Sequence, residues 1–211
     1  MAKSPTSMPP QHEPTVTGSR ELGTARLPAR AICQPAWASP LPARYDQSAM
    51  KLSLDALQTA RSIDLGTSER LTIDQARIDG FAAATDDRQW IHTDPERARQ
   101  GPYGTTIAHG YLLLSLIPHL FLQLVDLGDA GMVVNYGLDR LRFVRPVLSA
   151  SEVELRATLV SGQKRLGGAL CRVRCDLMVC ETGKRAVTAE ILLLVLPPAA
   201  QEAPAARRAA S

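Results

Sequence analysis

Aromatic residues are scarce in this chain, at 4% of 211 positions, and the net charge is only +3 with no dense basic stripe. A nucleic-acid surface needs clustered Lys and Arg interleaved with stacking rings, so no nucleic-acid partner is expected. Cysteine is thin too: Cys33, Cys171, Cys175 and Cys180 are the four present. Cys171 and Cys175 stand in strand-like sequence, which separates their Cα atoms by about 13 Å. A disulfide closes only below roughly 7 Å. With no C-x-x-C pair either, the thiols are expected to be free, which suits a reducing cytoplasm. Long hydrophobic runs are also missing. The strongest, Tyr111 to Leu127, is interrupted by Pro118, His119 and Gln123, so no membrane span is expected. No apolar core follows a basic start at the N-terminus, which argues against a secretory signal.

Proline is abundant only at one end: eight of the fifteen fall between Met1 and Arg44, among Ala, Ser and Arg, without a sustained period. Such a stretch buries too little apolar surface to offset its ordering entropy. It reads either as disordered or as translated sequence upstream of a natural start near Met50. A transit peptide fits less well, because Glu13 and Glu21 interrupt its arginines. The expected organisation is an extension over 1–49, a single domain over 50–197 and a flexible tail over 198–211.

Within that domain the period changes once. Thr72 followed by Gln75 has the form of a capping box. Ile78, Phe81 and Ala82 then recur at helical spacing, which predicts a short helix ending near Ala84. Asp87 and His92 follow in a turn. Asp94, Pro95 and Glu96 read as N-cap, N1 and N2 of another short helix that stops at Gly101. From Gly110 to about Asp126 the sequence predicts a helix apolar on nearly all sides, one that must be surrounded, with Pro118 expected to kink it. After Gly131 the period becomes two. Val153, Leu155, Ala157 and Leu159 alternate with polar residues, as do Cys171, Val173, Cys175 and Leu177. Turns are expected at Leu166-Gly167-Gly168 and Glu181-Thr182-Gly183-Lys184, and a strand from Ala189 to Leu196. Leu192, Leu194 and Leu196 would leave an apolar strand face exposed. Short helices, one buried helix and long antiparallel strands together indicate an α+β domain.

The chemistry concentrates between Thr85 and Leu116. Asp87 and His92 supply an acid and an imidazole, and Gly110 opens the apolar helix with backbone N–H groups that can hold a developing oxyanion. Read alone, the pair fits a turn cap and a structural histidine as well as a catalytic dyad. Asp86 is set aside, Asp94 is spent as an N-cap, and His92, Asp94 and His109 lack the H-x-x-x-H spacing of a helical metal site, so no metal is assigned.

These residues resemble the MaoC-like dehydratases, or (R)-specific enoyl-CoA hydratases. The likeness rests on Asp87 and His92, Asp94-Pro95, Ile107-Ala108-His109-Gly110, Asn135-Tyr136-Gly137-Leu138 and Arg142-Phe143. It implies a hotdog fold, an antiparallel sheet wrapped round one long helix. It also implies hydration of trans-2-enoyl-CoA thioesters with Asp87 and His92 as the catalytic pair. Gly110 would be the thioester-binding amide, with Gln89 and His109 in support. CoA enters as part of the substrate and no separate cofactor is implied; the partner implied is a second copy, giving a homodimer with the acyl tunnel near its interface. The chain departs from the family pattern at Gln89-Trp90, where Asn-Pro is usual. It departs again at Pro118, where a helper serine often lies; Ser115 is the nearest hydroxyl. Arg140, Arg142 and Arg145 offer charge for CoA phosphates, though strand arginines are commonly just exposed. A hotdog acyl-CoA thioesterase and a non-catalytic hotdog binding module are the alternative readings.

Overall fold

The computed structural model describes residues 49–128 and 130–198. Apart from Ala49 and Pro198, the expected extension and tail lie outside those residues, as does Cys33. The elements in chain order are β1 (Met50–Lys51), α1 (Leu54–Thr59), β2 (Arg61–Thr67), β3 (Leu71–Ile73), α2 (Gln75–Thr85), α3 (Trp90–Thr93) and α4 (Pro95–Arg99). Then come α5 (Gly110–Phe121), β4 (Val125–Asp126), β5 (Met132–Phe143), β6 (Ser151–Arg165), β7 (Gly168–Val179) and β8 (Lys184–Leu196). None of the described helices is long and apolar enough to cross a membrane.

The main sheet runs β2-β6-β7-β8-β5, with β3 also on β6, and each of these pairings is antiparallel. The β6–β7 hairpin closes through Leu166 and Gly167 at φ of 49° and 75°. Two successive positive φ values match the right-handed twist of the strands they join, which is why a glycine stands there. Along β7 the pleat buries Ala169, Cys171, Val173, Cys175 and Leu177 against the helix side. Leu112, Leu113, Leu116, Ile117, Leu120 and Phe121 of α5 join the same core as Leu155, Val173, Val187 and Leu193 of the sheet. The expected α+β arrangement, a sheet around one apolar helix, is therefore present.

Four local expectations are corrected. Thr72 does not cap α2; it lies in β3 and pairs with Glu152 of β6, and Asp74 is the cap, its carboxylate accepting from Arg77 N at 2.8 Å. His92 lies in a helical turn of its own, α3, rather than in an open turn. The long helix continues past Pro118 but ends at Phe121 rather than near Asp126. Val125 and Asp126 instead pair with Met50 and Lys51. Finally, Leu194 is buried and Leu192 and Leu196 are half-buried, because β8 lies between β7 and β5. The exposed apolar face belongs to the sheet-edge strand β5 and its flank, at Met132, Val133, Tyr136, Leu138, Phe143 and Val144.

Candidate active site

The site is assembled where α2, α3 and the start of α5 converge. α2 ends when Asp86 adopts the left-handed conformation (φ 59°), a role short polar side chains tolerate, and its own carboxylate faces solvent beside Arg88. The reversal leads the chain through Asp87 into α3. There the Gln89 carbonyl accepts from His92 N at 2.9 Å and from Thr93 N at 3.2 Å. Gln89 contributes its main chain; its side chain is exposed and makes no hydrogen bond among the described residues. Asp94 caps α4 through Arg97 N at 3.0 Å, as its Asp-Pro-Glu sequence indicates, and is thereby committed away from His92.

His92 is buried, with 6% of its surface exposed. Its Nδ1 lies 2.7 Å from the Ile107 carbonyl oxygen. A carbonyl can only accept, so Nδ1 carries the proton and Nε2 keeps its lone pair. The segment from Thr106 to Ala108 is itself pinned: Ile107 N donates to Ile91 O at 2.9 Å and Ala108 N to Val147 O at 2.8 Å. Gln75, read from sequence as half of a capping box, instead reaches across to donate to the His92 carbonyl at 2.8 Å. Its own amide oxygen accepts from the Thr106 hydroxyl at 2.5 Å. Sequence spacing gave no hint of that bridge, since it joins three separate segments.

His109 is the N-cap residue of α5 and only 2% exposed. Its ring stacks on His92 with centroids 3.7 Å apart and rests against Phe81 at 5.0 Å. Its Nε2 lies 2.9 Å from the Asp87 main-chain oxygen, so Nε2–H is the donor and Nδ1 carries the lone pair. One ring nitrogen of each histidine and a carboxylate oxygen of Asp87 lie within 4.8 Å of one another. Burial holds the His92 imidazole below its ordinary 6.5; the bond to Ile107 opposes this, His109 reinforces it and the Asp87 carboxylate opposes it again. His92 therefore rests neutral near pH 7, with Nε2 ready to accept a proton.

Beside this group the N–H groups of Gly110, Tyr111 and Leu112 have no acceptor among the described residues, as a helix start requires. A Cβ at Gly110 would sit 3.0 Å from the Phe143 ring, so glycine is what lets that ring close over the helix start. Phe143 meets Tyr111 edge-on at 5.6 Å. Further along α5, a cavity of about 390 Å³ opens between helix and edge strand, lined by Leu114, Ser115, Ile117, Pro118, Leu138 and Ile191 among others. Ser115 donates its hydroxyl to Tyr111 O at 2.8 Å within its own helix. Trp90 turns the other way, under the Arg97 guanidinium at 4.5 Å and against Gly101. Of the arginines singled out for phosphate, Arg140 lies 4.0 Å from Glu190, Arg142 bonds to the Leu141 carbonyl, and Arg145 bonds to the Arg185 carbonyl.

Residues 58–174 match the family described as the MaoC like domain, more than half of the chain. The chain belongs to the MaoC-like family. The 3-hydroxyacyl-thioester dehydratase Z of Mycobacterium tuberculosis is 44% identical over 115 residues, covering 54% of this chain and 76% of that protein. Nodulation protein N of Rhizobium leguminosarum bv. viciae is 45% identical over 117 residues, covering 54% and 73%. Among solved structures, the R-hydratase PhaJ1 from Pseudomonas aeruginosa superposes with a TM-score of 0.55 at 21% identity, over 68% of this chain and 85% of that one. The (R)-hydratase from A. caviae gives 0.53 at 26% identity, over 65% and 100%. The MaoC-like chain thus has the hotdog fold, α5 being the helix the sheet surrounds. Its named relatives include a dehydratase and (R)-hydratases.

Proposed function

We propose that this protein hydrates trans-2-enoyl-CoA thioesters to (R)-3-hydroxyacyl-CoA, and catalyses the reverse dehydration, with Asp87 and His92 as the acid–base pair. The observation that carries the reading is the convergence of a carboxylate and a neutral, lone-pair-bearing imidazole beside an open helix N-terminus. Hydration forms a C3–O and a C2–H bond while one O–H bond and the C2=C3 π bond break. Asp87 accepts a proton as the water oxygen adds to C3. Because His92 rests neutral, no standing imidazolium supplies C2; the water's own proton is passed through the pair to C2 on the same face. Negative charge gathers meanwhile on the thioester oxygen, which the Gly110 N–H and the helix dipole stabilise. The acyl tail occupies the cavity between α5 and β5. CoA is part of the substrate.

The β5 edge supports a homodimer. Unpaired strand edges carrying apolar side chains are pairing surfaces, and Tyr136 and Leu138 lie on one that also borders the cavity. A second copy across this edge would cover the open wall of the acyl site.

The test is to mix purified protein with crotonyl-CoA, follow loss of the enoyl-thioester absorbance, resolve the stereochemistry of the product and measure free CoA in parallel. The (R)-3-hydroxy thioester without stoichiometric CoA is expected. Rapid CoA release with no 3-hydroxy product would overturn the reading in favour of a thioesterase.

A further inference from the structure

His109 joins three parts of the site, two through its ring and one through its main chain. Its Nε2–H holds the main chain of Asp87 at 2.9 Å, its ring covers the face of His92 at 3.7 Å, and its own carbonyl accepts from Leu113 N at 3.2 Å in the first turn of α5. Phe81 of α2 backs the ring at 5.0 Å. The remaining polar atom, Nδ1, is buried without a hydrogen-bond partner among the described residues.

We propose that His109 is a positioning residue for the hydration step: it fixes Asp87, the His92 ring and the Gly110 helix start relative to one another. The inference rests on the proposed hydratase reading. The hydrogen bond places Asp87, because the carboxylate sits one side chain away from a carbonyl that is held. The stacked ring limits the rotation of His92 about the bond that Ile107 already anchors. Both contacts come from the residue immediately before Gly110, so a shift of the oxyanion-binding amide moves the dyad with it. The groups facing His92 are Asp87 and His109, together with the Ile107 carbonyl.

Two substitutions in the full chain separate these contacts. His109→Phe keeps a ring against His92 and fills the volume, but deletes the donor to Asp87. His109→Gln places an amide N–H near the position of Nε2 and deletes the ring. Small misplacements of a reacting group cost up to about 100-fold in rate, so His109→Phe should lose about that factor in kcat for crotonyl-CoA with little change in KM. His109→Gln should recover a measurable part of it. Independently of substrate, NMR titration of the His92 imidazole should show its midpoint moving upward in both variants, since the neighbouring imidazole that helps to hold it down is gone. The proposal is overturned by His109→Phe turning over within about threefold of the parent, by His109→Gln being no better than His109→Phe, or by an unmoved His92 titration. A parent protein inactive on crotonyl-CoA, with the His92 titration moved as expected, would instead defeat the hydratase reading and leave the coupling of His109 to His92 standing.

Discussion

Replacing the members of the dyad one at a time and together gives the sharpest check on the chemistry, and the structure dictates which replacements to use. His92 has two nitrogens with different duties: Nδ1–H satisfies the buried Ile107 carbonyl at 2.7 Å, which leaves the lone pair on Nε2 for the proposed proton exchange. An asparagine amide reaches the Nδ1 position, so His92→Asn removes the proton acceptor while keeping the structural bond. His92→Gln reaches toward Nε2 instead and strands the Ile107 carbonyl. An unsatisfied buried carbonyl costs about 1–3 kcal/mol, so the Gln variant should melt lower than the Asn variant while both lose activity. Asp87→Asn keeps shape and removes the base. General acid–base groups contribute about 10²–10⁴-fold, or roughly 2.7–5.4 kcal/mol of barrier, so each single change should lower kcat by that order with a smaller effect on KM. A carboxylate oxygen of Asp87 and a ring nitrogen of His92 lie within 4.8 Å of each other, and the proposed mechanism has both groups act on one water, so the two losses should not add. The Asp87→Asn/His92→Asn double variant is expected within about tenfold of the worse single one. Stopped-flow or steady-state loss of enoyl absorbance, with melting curves beside it, measures all four corners. Near-parent hydration by both singles, or a double variant whose losses simply multiply, would refute the shared-water mechanism.

Other outcomes follow from the same geometry. Because the folded His92 titrates below 6.5, the unfolded chain binds the extra proton first as pH falls. The stability tied to its neutral form is therefore complete above 6.5 and is lost as pH falls through the depressed folded value; activity should hold below 6.5 and then drop with the same limb. Melting temperature and kcat/KM recorded across that range check both signs. Sedimentation at micromolar concentration should give a dimer, and Leu138→Lys on the exposed β5 edge should shift it toward monomer; a parent that is already monomeric removes the support for the shared edge. Leu120→Ala, at a side chain with 0% exposure under the sheet, should cost about 2–5 kcal/mol in denaturant unfolding, and a loss below about 1 kcal/mol would mean the helix is not enclosed as described.

What the sequence determined by itself was whatever depends on near neighbours in the chain. Asp94-Pro95-Glu96 specifies a helix start because the cap, the fixed proline φ and the dipole-facing acid all act within one turn. The alternation in β6 and β7 specifies strands because a pleat has period two, and Leu166-Gly167 specifies the hairpin because its turn needs positive φ. The family resemblance rested on the same local strings and pointed to the region where the structure gathers Asp87, His92 and Gly110. The tertiary structure decided what depends on partners far away in sequence. Thr72 looked like a cap, but β6 draws it into a strand, where ladder hydrogen bonds satisfy the same backbone groups. The apolar residues after Phe121 looked helical, yet β1 captures Val125 and Asp126. Leu192, Leu194 and Leu196 looked like an uncovered face until β8 took a central place in the sheet and left β5 at the edge, a position no local pattern encodes. Within the site, the tautomers of both histidines follow from the Ile107 and Asp87 carbonyls, and the stacking of His109 on His92 from the approach of α5 to α3. Sequence supplied the side chains that can exchange a proton; the packing of α2, α3 and α5 fixed which nitrogen of His92 keeps its lone pair and which nitrogen of His109 holds the Asp87 main chain.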